Sequence, residues 1–427
     1  MSAGMKHKGF GLTHVGKLKP HNEDAHLIAP NLGLYVVCDG LGSHAAGAVA
    51  SQLACDTIQD YIKGNAGPLV SALKSDGRTD IRDCAIELVH NAIADASGKI
   101  FAQAQADPEK KGMGTTVVLV LILRRYAVIA HVGDSRVYLM RFKKLHQLTH
   151  DHSSLEVKMR RGQMSAQQIL ESDEKSLITR AVGTQADADC ETLFMELISN
   201  DRFLLTTDGL TNHINNKQLQ IQLPDDPAEE IVTKLIAMAN SRGGKDNITG
   251  AIVDIGEGTP RSDSETKLWL DLLGTMDLFQ HFSYVELLRL MSNASIGAFQ
   301  RFANVLSEGE ANVELFVLLS GSAQMVKGGQ VIGELKPGDF FGEMSMIDNE
   351  AAWMDVIIAK NAGVLAIDRR YLLRLLDDEP HLWGRLFWRL TRAIIGRLRH
   401  TSDEMGWSAL SSKNQFVDKL KRLAGEM

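Results

Sequence analysis

Leu34-Tyr35-Val36-Val37-Cys38-Asp39-Gly40-Leu41-Gly42 is an apolar, β-branched run that stops at an aspartate followed by glycine. A run with no polar face reads as a strand covered on both sides, and Asp-Gly reads as the turn that ends it. The same ending recurs at Gly133-Asp134, after the alternating Val128, Ala130 and Val132, and again at Asp208-Gly209 after Leu205. Lys245-Asp246-Asn247 precedes another apolar stretch, 250–255, and Asn22-Glu23-Asp24 adds two more carboxyls. Any one Asp-Gly is an ordinary turn. Several at the ends of buried strands imply more, because strand ends collect along one edge of a sheet and bring their carboxylates together. Converging carboxylates repel and push each other's pKa up unless cations hold them. Oxygen donors with no His-x-x-His or Cys pair nearby favour a hard cation, Mg²⁺ or Mn²⁺, over zinc. Two such ions about 3.5–4 Å apart can activate a water and clamp a phosphoryl oxygen.

The surrounding sequence mixes strands with long helices. Residues 115–123 repeat the all-apolar pattern, and 126–140 continues it with a break at Gly133. Residues 45–62 carry Val49, Leu53, Thr57 and Tyr61 at helical spacing, and 80–104 carry Ile86, Val89, Ile93 and Ile100. Asp226-Pro227-Ala228-Glu229 reads as the start of a third helix capped by Asp226, and Gly243-Gly244 as its end. Strands and helices without strict alternation give an α+β class.

With 44% hydrophobic and 23% charged residues over 427, this is the composition of a globular chain with two or three domains. The net charge of −7 supplies no general attraction to nucleic acid or anionic membranes. Four cysteines without a CxxC pair fit a reducing compartment. The N-terminus lacks a signal-peptide core, and no apolar run approaches the roughly 20 residues of a membrane span. A cytoplasmic protein without a membrane span is the expectation. Gly, Pro, Ser and charge replace apolar residues in 256–267, dividing the chain into 1–256, a linker at 257–267, a second domain at 268–400 and a helical tail at 401–427.

Seven segments carry a resemblance: Asn22-Glu23-Asp24, Asp39-Gly40-Leu41-Gly42-Ser43-His44, Gly114-Thr115-Thr116, Gly133-Asp134-Ser135-Arg136, Leu148-Thr149-His150-Asp151-His152-Ser153, Thr206-Thr207-Asp208-Gly209 and Gly244-Lys245-Asp246-Asn247. In order and spacing they resemble the metal-dependent type 2C Ser/Thr protein phosphatases, nearest to the bacterial branch, over the whole first domain. The resemblance implies a four-layer αββα sandwich and direct hydrolysis of phosphoserine and phosphothreonine by a metal-activated water, without a phosphoenzyme. It implies that Asp39 bridges two Mn²⁺ or Mg²⁺ ions with the Gly40 carbonyl as a further ligand, and that Asp208 and Asp246 hold the first ion. Glu23 and Asp24 serve the second, directly or through waters, and Asp134 matches a third, weaker metal site. Residues 152–180 correspond to a flap beside the site; Gly162 and the polar run 172–176 suit mobility there. The partners implied are phosphoserine and phosphothreonine proteins and a cognate Ser/Thr kinase. His44 is a proton-transfer candidate, whereas His131 and His150 read as structural. This chain departs from the family in having Lys19, followed by Pro20 and His21, where an Arg grips the substrate phosphate. Lys keeps the charge and loses the bidentate grip. His14 replaces a common Asp, and Ser43 a glycine.

In the second domain, Pro337-Gly338-Asp339, Phe341-Gly342-Glu343-Met344-Ser345 and Leu319-Ser320-Gly321 resemble the cyclic-nucleotide-binding domain, an eight-stranded β-roll (jelly-roll) with flanking helices. The resemblance implies backbone amides around Gly342, Glu343, Met344 and Ser345 for a cyclic phosphate, with Glu343 on the ribose. The family's phosphate-pairing Arg falls at Ala352 here, so cAMP and cGMP are expected to bind poorly. Residues 268–292 read as one helix, Lys327-Gly328-Gly329 as a hairpin, and Leu382, Leu386, Leu390, Ile394 and Leu398 as the stripe of a final helix. That helix also carries Arg385, Arg389, Arg392, Arg397 and Arg399. Too few residues follow for a DNA-binding module, so no DNA contact is expected; a homodimer through the C-terminal helices is the sharper use of the stripe. A metal-dependent protein phosphatase with a regulatory β-roll is the reading that results. Its alternative is a catalytically impaired phosphoprotein-binding scaffold or sensor, for which Lys19 and Ala352 speak.

Overall fold

Strand β3 (Leu34–Leu41) lies inside a sheet ordered β2–β3–β5–β6–β9, in which β2 is Asp24–Ala29, β5 Val117–Leu123, β6 Tyr126–Val132 and β9 Glu191–Glu196; the two-residue β4 (Gly114–Thr115) pairs with β3 off this path. A second sheet runs β1 (His7–His14), β11 (Ile248–Ile255), β10 (Arg202–Thr206), β7 (Arg136–Arg141), β8 (Lys144–Gln147). The structure, a computed structural model, describes residues 5–42, 46–75, 77–161, 163, 164, 168, 177–224, 226–257, 260–378 and 380–404. His44, Gly162, the polar run 172–176 and the tail beyond 404 lie outside the described residues.

Alternation along the strands builds the layers. Tyr35, Val37, Val118 and Val120 face Val137, Leu139, Phe203, Leu205 and Val253 of the other sheet. The opposite set, Val36, Cys38, Leu119 and Leu121, faces the helices Ala46–Asn65 and Arg78–Ala106. Ile231, Val232 and Leu235 of the Ala228–Ser241 helix cover the outside of the second sheet over Leu204 and Ile252. This is the four-layer αββα sandwich, with both sheets buried on two faces. Each fully buried Val, Leu or Ile contributes about 1.5–3 kcal/mol. The break read at Gly133 within 126–140 separates two strands: at Gly133 (φ +106) the chain leaves one sheet for the other. The third helix starts at Ala228 with Pro227 in the cap position and no side-chain cap, one residue later than the sequence suggested.

The linker composition turns helical early. Pro260 opens the helix Pro260–Thr275, whose Leu270 and Leu273 are buried. The stretch read as one helix over 268–292 is two, because Ser283 and Glu286 form a capping box that starts a new helix, Tyr284–Ser292. Eight strands follow in two antiparallel sheets: β12 (Ala294–Phe299), β19 (Ala362–Asp368), β14 (Glu314–Leu318) and β17 (Phe340–Phe341); and β13 (Asn304–Leu306), β18 (Asp355–Lys360), β15 (Ser322–Lys327) and β16 (Gln330–Leu335). Gly328 (φ +55) and Gly329 (φ +80) make the β15–β16 hairpin. Leu306, Phe316, Phe341, Val356 and Ile358 fill the roll. Helices Arg369–Asp378 and Pro380–Glu404 close the described chain. No helix among the described residues is long and apolar enough to cross a membrane.

The two halves share one core. Leu270, Leu273, Phe279, Leu287, Leu290, Leu315 and Leu386 belong to the same buried cluster as Val37, Leu139 and Phe203. The Tyr284–Ser292 helix sits on the edge of the sandwich. Arg78 donates to the Ala294 and Met291 carbonyls at 2.6 and 2.8 Å, and Arg82 to that of Ser292 at 3.2 Å. Tyr284 stacks on His146 with ring centroids 4.2 Å apart.

Candidate metal centre and its surroundings

Sheet register brings the acidic residues together. Asp24 and Asp39 are paired across β2 and β3. Asp208 follows β10 and Asp246 precedes β11, its neighbour. Asp134 closes the crossing from β6 to β7. Burial raises the Asp39 carboxyl well above the usual carboxylate range, and Asp24, Asp208, Asp134 and Asp246 push it further. Asp24 rises to about 7, first by burial, although Thr249 and Thr207 oppose the shift. Asp134 also rises to about 7 through burial and then through Asp208 and Asp151. Burial and Asp246 raise Asp208. The convergence expected from strand ends is therefore present.

A belt of neutral side chains holds these groups. Asp24 Oδ2 accepts from the Thr249 and Thr207 hydroxyls at 2.6 and 3.0 Å. Thr13 and Thr249 hydroxyls lie 2.6 Å apart across β1 and β11, and Asn22 donates to Thr13 at 2.9 Å. The Asn247 amide ties three segments: its oxygen accepts from the Glu23 N–H at 2.8 Å and its nitrogen donates to the Val15 and His21 carbonyls at 2.9 Å. The Asp39 N–H bonds the Thr116 hydroxyl, which lies 2.7 Å from that of Ser135. Ser51 donates to the Glu23 carbonyl at 2.6 Å. Gly40 is required sterically, since a Cβ there would stand 2.2 Å from the Gly47 carbonyl oxygen and 2.4 Å from that of Glu23. A Cβ on Gly47 would stand 2.9 Å from Glu23 Oε1. Sequence reading quoted Thr207 and Asn247 as motif neighbours of Asp208 and Asp246 and gave them no role, and it assigned none to Thr13, Thr249, Gly47 or Ser51. Asn247 and Thr207 carried a signal through their places beside Asp246 and Asp208.

The donor set fits divalent cations. Among the described residues Asp24 Oδ1 is buried without a hydrogen-bond partner, an atom that a cation or its water shell would satisfy. Several carboxyls raised by one another are stable as anions only beside positive charge. One such charge is already there: Lys19 Nζ lies 2.6 Å from Asp246 Oδ1.

Behind the site, His131, His152 and Glu191 bring ligand-type atoms within 4.8 Å of one another. The rings stack at 4.6 Å with 27° between planes, so their lone pairs do not aim at one point. Each is also engaged: His131 Nε2 lies 2.7 Å from the His150 carbonyl, and His152 Nδ1 accepts from the Gly133 N–H at 3.2 Å. We read this cluster as a strut. Its other end is in the second domain, where Arg289 meets Glu191 at 3.7 Å and donates to the Leu148 carbonyl at 3.3 Å, while Glu191 Oε1 lies 3.3 Å from His152 Nε2.

In the β-roll, Gly342 takes φ +79, and a Cβ there would stand 2.7 Å from the Glu314 carbonyl oxygen. Glu343 and Ser345 are buried, and Met344 is exposed. Ala352 is buried in the apolar filling of the roll and exchanges backbone hydrogen bonds with Glu310 and Gly309, both at 2.8 Å.

Residues 11–252 match the family model of protein phosphatase 2C, and 298–379 that of the cyclic nucleotide-binding domain. The serine/threonine phosphatase stp of Listeria welshimeri is 32% identical over 246 residues, which are 57% of this chain and 93% of that protein. Protein phosphatase PhpP of Streptococcus pneumoniae is 31% identical over 250 residues, 58% of this chain and 96% of that one. Among solved structures, the Mycobacterium tuberculosis serine/threonine phosphatase PstP/Ppp superposes with a TM-score of 0.52 at 27% identity, covering 59% of this chain and 99% of that one. The PstP catalytic domain, solved in complex with two manganese ions, gives 0.50 at 26% identity, with coverage of 59% and 99%.

Proposed function

Because the chain belongs to the protein phosphatase 2C family of serine/threonine phosphatases, we propose that it removes phosphate from phosphoserine and phosphothreonine in proteins at the Asp39 site. The convergence of Asp24, Asp39, Asp208 and Asp246 on one point carries this reading. Two Mn²⁺ or Mg²⁺ ions would be held by Asp39 and the Gly40 carbonyl together, by Asp208 and Asp246, and by Glu23 and Asp24, with Asp134 beside a weaker third. When bound, they supply an activated water and neutralise phosphoryl oxygens. The protein's own groups orient these ligands: Thr207 and Thr249 fix one oxygen of Asp24, and Asn212 bonds Asp208 Oδ2 at 3.1 Å. Lys19 serves as the point charge that meets the substrate phosphate. The full chain with Mn²⁺ is expected to hydrolyse a phosphothreonine peptide and to stop on chelation, with Lys19→Ala raising KM several-fold. Undiminished turnover in chelator would overturn the assignment. A scaffold without activity is less well supported, because every metal carboxylate is retained. Cys38 and Cys55 are free thiols, the Cys55 thiol donating to the Cys38 sulfur at 3.7 Å, which suits a reducing, cytoplasmic setting; a Ser/Thr kinase is proposed as the opposing activity.

The β-roll regulates the phosphatase in this reading, and Arg289 is the transmitting residue. It reaches Glu191, then His152, then the Gly133 amide next to Asp134. Arg289→Ala should change kcat at least about threefold while leaving the thermal midpoint within a few degrees. Micromolar cAMP or cGMP should leave turnover unchanged, since Ala352 offers no counter-charge. Unaltered kinetics in Arg289→Ala would remove Arg289 from the pathway, and nucleotide-switched turnover would contradict the Ala352 argument. Leu382, Leu386 and Leu390 of the stripe expected to pair two copies are instead buried in the shared core of one chain; homodimer pairing through the exposed Phe387, Trp388 and Ile395 of the same helix is the proposal that replaces it, and a monomeric mass in light scattering would contradict it.

A further inference from the structure

Next to the metal carboxylates lies a cavity of about 370 Å³ lined by Gly209, Asn212, His213, Arg242, Lys245 and Asp246. Asp246 belongs to both, so the cavity opens from the reaction centre itself. Its other charged walls are positive. Lys245 is exposed and has no ion-pair or hydrogen-bond partner among the described residues. Arg242 is held in place rather than free to sweep: Nη1 donates to the His213 carbonyl at 2.6 Å and to Gln218 Oε1 at 2.7 Å. The chain between the two cations takes conformations open to glycine, with φ +132 at Gly243 and +54 at Gly244. A Cβ on Gly243 would touch His213 and Lys245, each at 3.7 Å. Lys17 adjoins from the loop after β1, its N–H bonded to the Gly244 carbonyl at 2.7 Å. Lys17, Lys19, Arg242 and Lys245 thus gather along one rim of the site in a chain whose net charge is −7.

We propose that this cavity is a specificity subsite that binds an anionic side chain next to the phosphoresidue of the substrate, a carboxylate or a second phosphate. It rests on the hydrolase reading above and names the substrate class. A carboxylate or phosphate in the cavity finds a pre-placed guanidinium and a mobile ammonium, whereas a basic flank meets like charge, which discriminates strongly.

Kinetics of the full chain with Mn²⁺ on phosphothreonine peptides test this. The peptides carry three neutral, three Glu or three Lys residues on one side or the other, and one carries a second phosphothreonine. The Glu peptide on one side should exceed its neutral counterpart roughly fivefold in kcat/KM, carried by KM, the size that a few exposed charge pairs supply together. The readout in each variant is the ratio of charged to neutral peptide, so any change in overall activity cancels. Lys245→Ala should bring the ratio near one, and Lys245→Glu should turn it in favour of Lys. A greater gain from the second phosphate than from Glu assigns the subsite to multiply phosphorylated segments; the reverse assigns it to acidic ones. Equal turnover of all peptides, or a Glu preference that survives Lys245→Glu, would overturn the subsite alone. No turnover of any peptide would overturn the hydrolase reading, and the subsite with it.

Discussion

Asp39→Asn is expected to lower Mn²⁺-supported turnover by about a thousandfold and to raise the melting temperature of the metal-free protein. The first effect follows from position. Asp39 is the carboxyl that feels Asp24, Asp208, Asp134 and Asp246 together, so an amide there removes a negative charge and one acceptor oxygen from the centre proposed to hold both ions. Losing one preorganised electrostatic partner of a transition state costs about 10²–10³ in rate, and losing a shared ligand disturbs two ions at once. The second effect has the opposite sign and separates ligand loss from misfolding. The folded state raises the Asp39 pKa above its unfolded value near 4. Its contribution to stability is therefore complete below pH 4 and is lost as pH rises through the folded pKa. At pH 8 in chelator the wild-type fold bears the stability cost of that raised pKa, and the isosteric amide, which does not titrate, does not. Activity measured at saturating Mn²⁺ and melting measured in chelator decide the matter. Turnover within tenfold of wild type would remove Asp39 from the centre.

Asp201→Ala is expected to destabilise the fold by about 3–5 kcal/mol, the range for stranding one partner of a buried ion pair. Arg141 and Asp201 are both fully buried, bonded at 2.7 and 2.5 Å in a two-pronged pair. Arg141 also donates to the Glu196 carbonyl at 2.9 Å and lies 3.4 Å from the Tyr284 hydroxyl of the second domain. Asp201 accepts from the Ile198 N–H at 2.9 Å. Without the carboxylate, a guanidinium remains in the core with one carbonyl and one phenol. Domains are stable by only about 5–15 kcal/mol in total, so the loss should be plain in urea denaturation. Arg141→Met together with Asp201→Ala should recover much of it, because removing both charges ends the desolvation penalty. A loss below about 1 kcal/mol in Asp201→Ala would show that water reaches the pair.

Neither partner of that pair stands out in the sequence, and the contrast with Asp39 is instructive. Asp39, Asp134 and Asp208 announce themselves because each ends an apolar strand beside a glycine, and strand ends share an edge. Asp201 follows Asn200 in what looks like a turn, and Arg141 looks like the end of a strand. Their meeting depends on the pairing of β7 with β10, which no local pattern encodes. Thr13, Thr207 and Thr249 are hidden for the same reason, since threonine is an ordinary strand residue until register sets Thr13 against Thr249. The start of the Tyr284–Ser292 helix was available in Ser283 and Glu286, but the unbroken apolar pattern around it masked the cap. The shared core of the two halves was not legible at all. Leu270, Leu287 and Leu290 read as the inner faces of helices in any domain, and the linker-like composition ahead of them suggests separation.

That shared core limits how the second domain can act. Domains joined by a free tether swing about a hinge, and large displacements cost little. Here Arg78 and Arg82 clamp the exit of the Tyr284–Ser292 helix, Tyr284 stacks on His146, and leucines from both halves interdigitate. Packed interfaces of this kind move by shear, with side chains sliding past each other over an ångström or two. Under the proposed regulation, a signal from the β-roll would therefore reach Asp134 as a small shift in the pitch of one helix, more like a thumb on a string than the opening of a door.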